Sequence, residues 1–85
     1  MIIRFHRAFN KKFKKLPRKI QKQFQERLVI FEKDEFSPVL NNHGLIGKYK
    51  GYKSINVTGD LRAVFRRKDD KAIFVNIDSH SNLYG

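Results

Sequence analysis

An α+β fold is predicted by three observations. Apolar residues alternate at the start of the chain, two helical stripes follow over residues 9–31, and three short alternating segments separated by turn residues come after residue 51. Closely linked strands pair antiparallel, and two successive amphipathic helices need an apolar surface to cover. The expected architecture is therefore an N-terminal strand and a two-helix hairpin packed on a small, mostly antiparallel sheet. Residues 1–85 are expected to form a single domain.

Each element has its own signal. Residues 2–8 alternate, with Ile3 and Phe5 opposite Arg4 and His6, which predicts a strand with His6 on its surface. Phe9, Phe13 and Leu16 then recur at i, i+4 and i+7, the stripe of a short helix. Pro17 ends that helix and suits the first turn of the next. Ile20, Phe24, Leu28 and Phe31 define the second helix, with Lys19, Lys22, Gln23 and Arg27 elsewhere on its surface. Ser37-Pro38 breaks the pattern, and residues 41–51 read as a loop rich in Asn and Gly. Three strands are predicted from Tyr52 to Thr58, Leu61 to Arg67 and Ala72 to Ile77, with Gly59-Asp60 and Asp69-Asp70 at the turns. Ile55 and Val57 share one face, as do Leu61, Ala63 and Phe65; Ser54, Asn56, Arg62, Val64 and Arg66 fall on the other. That second face is expected to be polar, concave and free. Tyr52, Phe65 and Phe74 read as packing residues.

Nineteen Lys and Arg against eight acids give a formal charge of +11, and nine basic residues precede the first acid, Glu26. Such a field attracts polyanions, chiefly through phosphate contacts, and points to nucleic acid. The run Lys11, Lys12, Lys14 and Lys15 is a solvated helix face expected to grip RNA phosphates as well; Arg18, Lys53 and Asn56 are expected on the same ligand. The chain has no cysteine, so disulfides and thiolate chemistry are excluded. Its apolar runs are too short for a membrane span, and its start lacks the apolar stretch of a signal peptide. A cytoplasmic protein without a membrane partner is the expectation.

The ending His80-Ser81-Asn82-Leu83-Tyr84 carries an imidazole, an apolar anchor and a phenol where small domains usually fray. It reads as a docked tail that presents His80 and Tyr84. With His43, Asp60 and Arg62 upstream, the chain holds the parts of a metal-free site for phosphodiester chemistry. Every part also has an ordinary role. Asp60 is a turn residue by position, His43 a loop histidine, His80 an anchor of the tail, and Arg62 a partner for Asp60 or Asp78. His43 and His80 lack the close spacing of a zinc motif, and no cofactor is expected.

His43-Gly44-Leu45-x-Gly47, Gly51-Tyr52-x-Ser54-Ile55, Gly59-Asp60-Leu61-Arg62-x-x-Phe65 and His80-Ser81-x-Leu83-Tyr84 occur in that order. Together they resemble the RelE/ParE toxin superfamily of type II toxin–antitoxin systems, and within it the YafQ branch. The resemblance implies a RelE-like fold and a ribosome-dependent endoribonuclease that cuts messenger RNA, neutralised by a cognate antitoxin. It places the active site at His43, Asp60, His80 and Tyr84. A second histidine of the YafQ pattern is replaced here by Asn56, which cannot exchange a proton near neutral pH. Arg62 matches an arginine that many RelE-like toxins carry after this turn. In that chemistry the 2′-hydroxyl attacks the adjacent phosphorus, so a base, an acid and a charge stabiliser are required. His80 is expected as the acid, Asp60 as base or as the group orienting a histidine, and Arg62 with His43 as stabilisers; His43 and His80 can equally exchange the acid and base roles. Tyr84 is suited to stacking on a base. A toxin-like binder of RNA or ribosomes that has lost catalysis at Asn56 is the alternative.

Overall fold

A computed structural model describes residues 1–84. The chain runs β1 (Ile2–Phe5), α1 (Arg7–Phe13), α2 (Arg18–Lys33), β2 (His43–Gly44), β3 (Lys53–Asn56), β4 (Leu61–Lys68), β5 (Lys71–Ser79) and α3 (His80–Tyr84). Single 3-10 turns cover Pro38–Leu40 and Gly47–Tyr49. One five-stranded sheet has the order β1-β5-β4-β3-β2. Only β1 runs parallel to its neighbour; the other pairings are antiparallel. The α+β expectation of a hairpin on a mostly antiparallel sheet is what the chain adopts.

The helices form where the stripes fall because they bury aromatic rings against the sheet. Phe9, Phe24 and Phe31 meet Phe65, Phe74, Ile55, Val57, Ala63, Ala72 and Ile77 in one apolar cluster. Phe13, Leu16 and Leu28 pack at its margin. The first strand is shorter than the alternation suggested, because the chain turns helical at Arg7. His6 is not strand surface: its Nδ1 accepts the Ala8 amide at 3.1 Å and caps α1. At the far end of the sheet Asp69 takes a left-handed φ of 54° in the two-residue turn between β4 and β5. There Arg67 bridges to Glu35 at 3.1 Å, tying β4 to the segment after α2.

The second face of the sheet departs from the expectation of a free polar surface. Ser54, Val64 and Asn76 lie in one cross-strand row. Ser54 and Val64 are fully buried. Tyr84 of the tail bonds Ser54 from one side, and Tyr49 of the preceding loop bonds Asn76 from the other. Loop and tail thus close over this row, and the open surface left lies between and beside them. Among the described residues no helix is long and apolar enough to cross a membrane.

Candidate active site

The segment read as a plain loop contributes an edge strand. His43 pairs with Ser54 across β2 and β3, although β2 is only two residues long. Ahead of it Asn41 takes a left-handed φ of 47°, a conformation that Asn tolerates better than most residues. That geometry brings the Asn41 carbonyl 2.7 Å from His43 Nδ1. A carbonyl can only accept, so Nδ1 carries the hydrogen and the neutral ring keeps its lone pair on Nε2. The exposed His43 ring is therefore oriented, with its basic nitrogen outward.

The tail is docked, as expected, but largely by polar bonds. Ser79 Oγ accepts the Asn82 amide at 3.2 Å and caps α3. The Asp78 carboxylate accepts Asn82 Nδ2 at 2.9 Å and the Ser79 amide at 2.8 Å. Tyr84 Oη meets Ser54 Oγ at 3.0 Å. Leu83, the expected apolar anchor, is half-buried in a cleft wall. His80 and Tyr84 lie one turn apart on α3, their rings edge to face with centroids 4.6 Å apart. Ser54 holds Tyr84, and Tyr84 in turn flanks the His80 imidazole.

A cleft of about 700 Å³ opens between loop and tail. Its walls include His43, Ile46 and Lys48 from the loop and His80, Asn82 and Tyr84 from the tail. The two imidazoles, from positions 43 and 80, thus face one space. Asp60 and Arg62 stand at the adjoining β3–β4 turn and not in the wall itself. The Asp60 carbonyl accepts the His80 amide at 2.8 Å, which joins the turn to the start of the tail. Its carboxylate is exposed and makes no hydrogen bond or ion pair among the described residues. Arg62 pairs with neither Asp60 nor Asp78. Its Nη1 lies 3.1–3.2 Å from the carbonyls of Thr58, Gly59 and Leu61, which leaves Nε and Nη2 without a partner among the described residues. Asn56, in register with Arg62, has its amide oxygen buried and unpartnered, so only its Nδ2 remains for a ligand. Among the described residues no three His, Cys, Asp or Glu side chains gather as a metal cage.

The basic residues divide. Lys11, Lys14, Lys15 and Arg18 are exposed on the hairpin. Lys12 is not simply solvated: its Nζ sits 2.8 Å from Asp78. Lys53 lies over the Phe36 ring, 5.5 Å from its centroid. The Asp78 link is a feature that spacing alone did not signal, and it ties α1, β5 and the tail together. Lys12 first, then Asn82, hold the Asp78 carboxyl down at about 2, from an ordinary 3.8, against the opposing effect of burial. A lowered carboxylate contributes stability that is present above its ordinary range and lost as pH falls toward 2. With Lys12 half exposed, screening leaves on the order of 1 kcal/mol. Asp78→Asn should lose that much at neutral pH in urea unfolding, and the difference from the parent should shrink as pH falls from about 4 to 2.

The Ser54–Tyr84 pair gives a second expected result. Tyr84→Phe leaves the buried Ser54 hydroxyl unpaired, at a cost of about 1–3 kcal/mol. Ser54→Ala added to Tyr84→Phe should recover part of that loss, since no orphaned group remains. A double-mutant cycle on unfolding midpoints reads the coupling.

The family model described as "Bacterial toxin of type II toxin-antitoxin system, YafQ" matches residues 1–85. No curated protein matches the chain. Among solved structures, YafQ from E. coli superposes with a TM-score of 0.80 at 18% identity, covering 98% of this chain and 97% of the other. A YoeB/ParE toxin from Agrobacterium tumefaciens gives 0.77 at 14% identity, covering 94% and 99%. YafQ in the E. coli DinJ–YafQ complex gives 0.68 at 22% identity, covering 98% and 97%. At these identities the structural likeness establishes the RelE/YafQ-like fold, and the family model, spanning the whole length, establishes the lineage. The chain belongs to the YafQ family of bacterial toxins of type II toxin–antitoxin systems.

Proposed function

We propose that this toxin is a metal-independent endoribonuclease that cuts messenger RNA on the translating ribosome, acting as one unit over residues 1–85. The observation that carries the reading is the cleft that His43 and His80 share, with His43 Nδ1 committed to the Asn41 carbonyl and Nε2 left as a base. In the step, His43 Nε2 takes the proton of a ribose 2′-hydroxyl as its oxygen bonds to the adjacent phosphorus. The bond from phosphorus to the 5′-oxygen breaks, and His80 protonates that oxygen. The products are a 2′,3′-cyclic phosphate and a 5′-hydroxyl. Arg62 offers Nε and Nη2 to the phosphoryl oxygens, the parallel donor pair that suits them. Tyr84, 38% exposed, presents a ring face for stacking on a base. Asp60, whose carbonyl holds the His80 amide, is the carboxylate that orients a histidine at the edge of the site.

Lys11, Lys14, Lys15, Arg18 and Lys53 supply phosphate contacts with ribosomal RNA, with Lys12 contributing once drawn from Asp78, and Asn56 Nδ2 donates beside Arg62. A cognate antitoxin is the other partner. E. coli YafQ forms a complex with DinJ, and a net charge of +11 calls for an acidic segment laid over hairpin and cleft. Its association rate should fall steeply between 50 and 500 mM salt, concentrations chosen to span roughly 14 to 4 Å of screening; a rate indifferent to salt contradicts that account. Cleavage itself is tested by inducing the chain and mapping RNA ends by primer extension. New ends in register with codons of translated messages support the proposal. Growth arrest with intact messages overturns it in favour of a non-catalytic binder, the role that Asn56 in place of a histidine would fit.

A further inference from the structure

We infer that the groove beside the cleft, between α1 and the Gly47–Tyr49 turn, is a binding subsite for a nucleotide flanking the cut. The inference rests on the nuclease proposal for the strand's path, while the groove's own geometry stands apart from it. The groove encloses about 450 Å³, within the range that holds a small ligand, and its walls include Lys12, Lys48, Tyr49, Tyr52 and Asn76. Lys48 is a wall of this groove and of the His43–His80 cleft alike. One strand of RNA can therefore pass from one space to the other across a single ammonium group.

The two tyrosines are built into place. Gly47 and Gly51 take φ values of 69° and 92°, left-handed positions that bracket the turn and that other residues adopt only with strain. Within it the Lys50 amide bonds the Gly47 carbonyl at 3.0 Å, and the Tyr52 amide bonds the Tyr49 carbonyl at 2.9 Å. Asn76 Nδ2 donates to Tyr49 Oη at 2.8 Å, fixing that ring from the sheet. The rings stand at 80° with centroids 6.1 Å apart, so they form a corner. Lys48 Nζ lies 5.4 Å from the Tyr49 centroid. A base stacked in the corner would leave its phosphate beside Lys48. Lys12, paired with Asp78 at 2.8 Å, is the weaker cation of the two. An aromatic corner with an ammonium at its rim matches a single-stranded nucleotide in both parts, since every base offers a π-face and every link a phosphate.

The test uses the full chain and 2′-O-methyl RNA, which binds but cannot be cut. A trinucleotide should shift the Tyr49 and Tyr52 ring resonances, whereas inorganic phosphate should not. Tyr52→Leu should weaken the trinucleotide about ten-fold or more. Lys48→Gln, at an exposed position whose loss leaves the fold intact, should lower the salt slope of binding by about 0.7. Unmoved tyrosine rings at saturating trinucleotide overturn the inference, as does an unchanged salt slope in Lys48→Gln. Because nothing is cleaved in this measurement, its outcome is independent of the primer-extension result: absent message cuts sink the nuclease proposal alone.

Discussion

His80→Ala should lower message cleavage by about 10²–10⁴-fold while the toxin still associates with ribosomes. A positioned proton-transfer group typically contributes that much. His80 is exposed at the first position of α3, outside the apolar core, so its removal leaves the fold in place. In the proposed step, what it takes away is the acid for the leaving 5′-oxygen. The assignment has a sharper test than loss of rate. A message carrying sulfur at the bridging 5′ position has a leaving group that departs without a proton. On such a message His80→Ala should cut within about ten-fold of the parent, because general-acid catalysis no longer matters. His43→Ala should stay slow on it, since the 2′-hydroxyl still needs a base. Rescue of His43→Ala in place of His80→Ala would exchange the two roles. Rescue of neither, with ribosome association intact, would remove His80 from the role of acid.

The same two histidines show how much of the site the sequence carried and where it stopped. His80 is legible because an imidazole, an apolar residue and a phenol stand within five positions, at His80, Leu83 and Tyr84. The two-helix hairpin is legible because Phe9, Phe13 and Leu16, and after Pro17 Ile20, Phe24, Leu28 and Phe31, recur at helical spacing. The orientation of His43 is not. It depends on the left-handed backbone at Asn41, for which Asn is a permissive residue but no signal, and on β2, too short at two residues to show any alternation. Arg62 illustrates another limit. Its place after the turn is plain in the sequence, but whether a long side chain meets Asp78 or folds back onto three turn carbonyls is decided by local sterics. Ser54 read as outer-face polar and proved fully buried, because burial there comes from a tail thirty residues downstream. Period-2 alternation sorts residues onto two faces of a strand and says nothing of what later covers each face.

Alternation also fails across β5, and that failure leads to the largest expected effect on stability. Val64 pairs with Asn76 and Phe65 with Phe74, so Val75 is an extra residue, a bulge that brings Phe74 and Ile77 to the same face although they are three apart. The bulge sets Phe74 at the centre of the core. Its ring lies 5.2–5.8 Å, centroid to centroid, from those of Phe5, Phe9, Phe24, Phe31 and Phe65. Rings from β1, both helices of the hairpin and β4 therefore all rest on one side chain. Phe74→Ala should cost about 3–5 kcal/mol, since a cavity ringed by five aromatic side chains and the sheet backbone cannot easily collapse. A chain of this length has roughly 4–13 kcal/mol in total. The variant should melt roughly 12–40 °C below the parent, and toxicity should vanish with the fold, because β5 ends where α3 and His80 begin. Phe36, 63% exposed, is the matched control: Phe36→Ala should change stability by no more than about 0.5 kcal/mol. Equal melting temperatures for Phe74→Ala and Phe36→Ala would mean that the core is not organised around β5 and that the hairpin does not hold the cleft through Phe74.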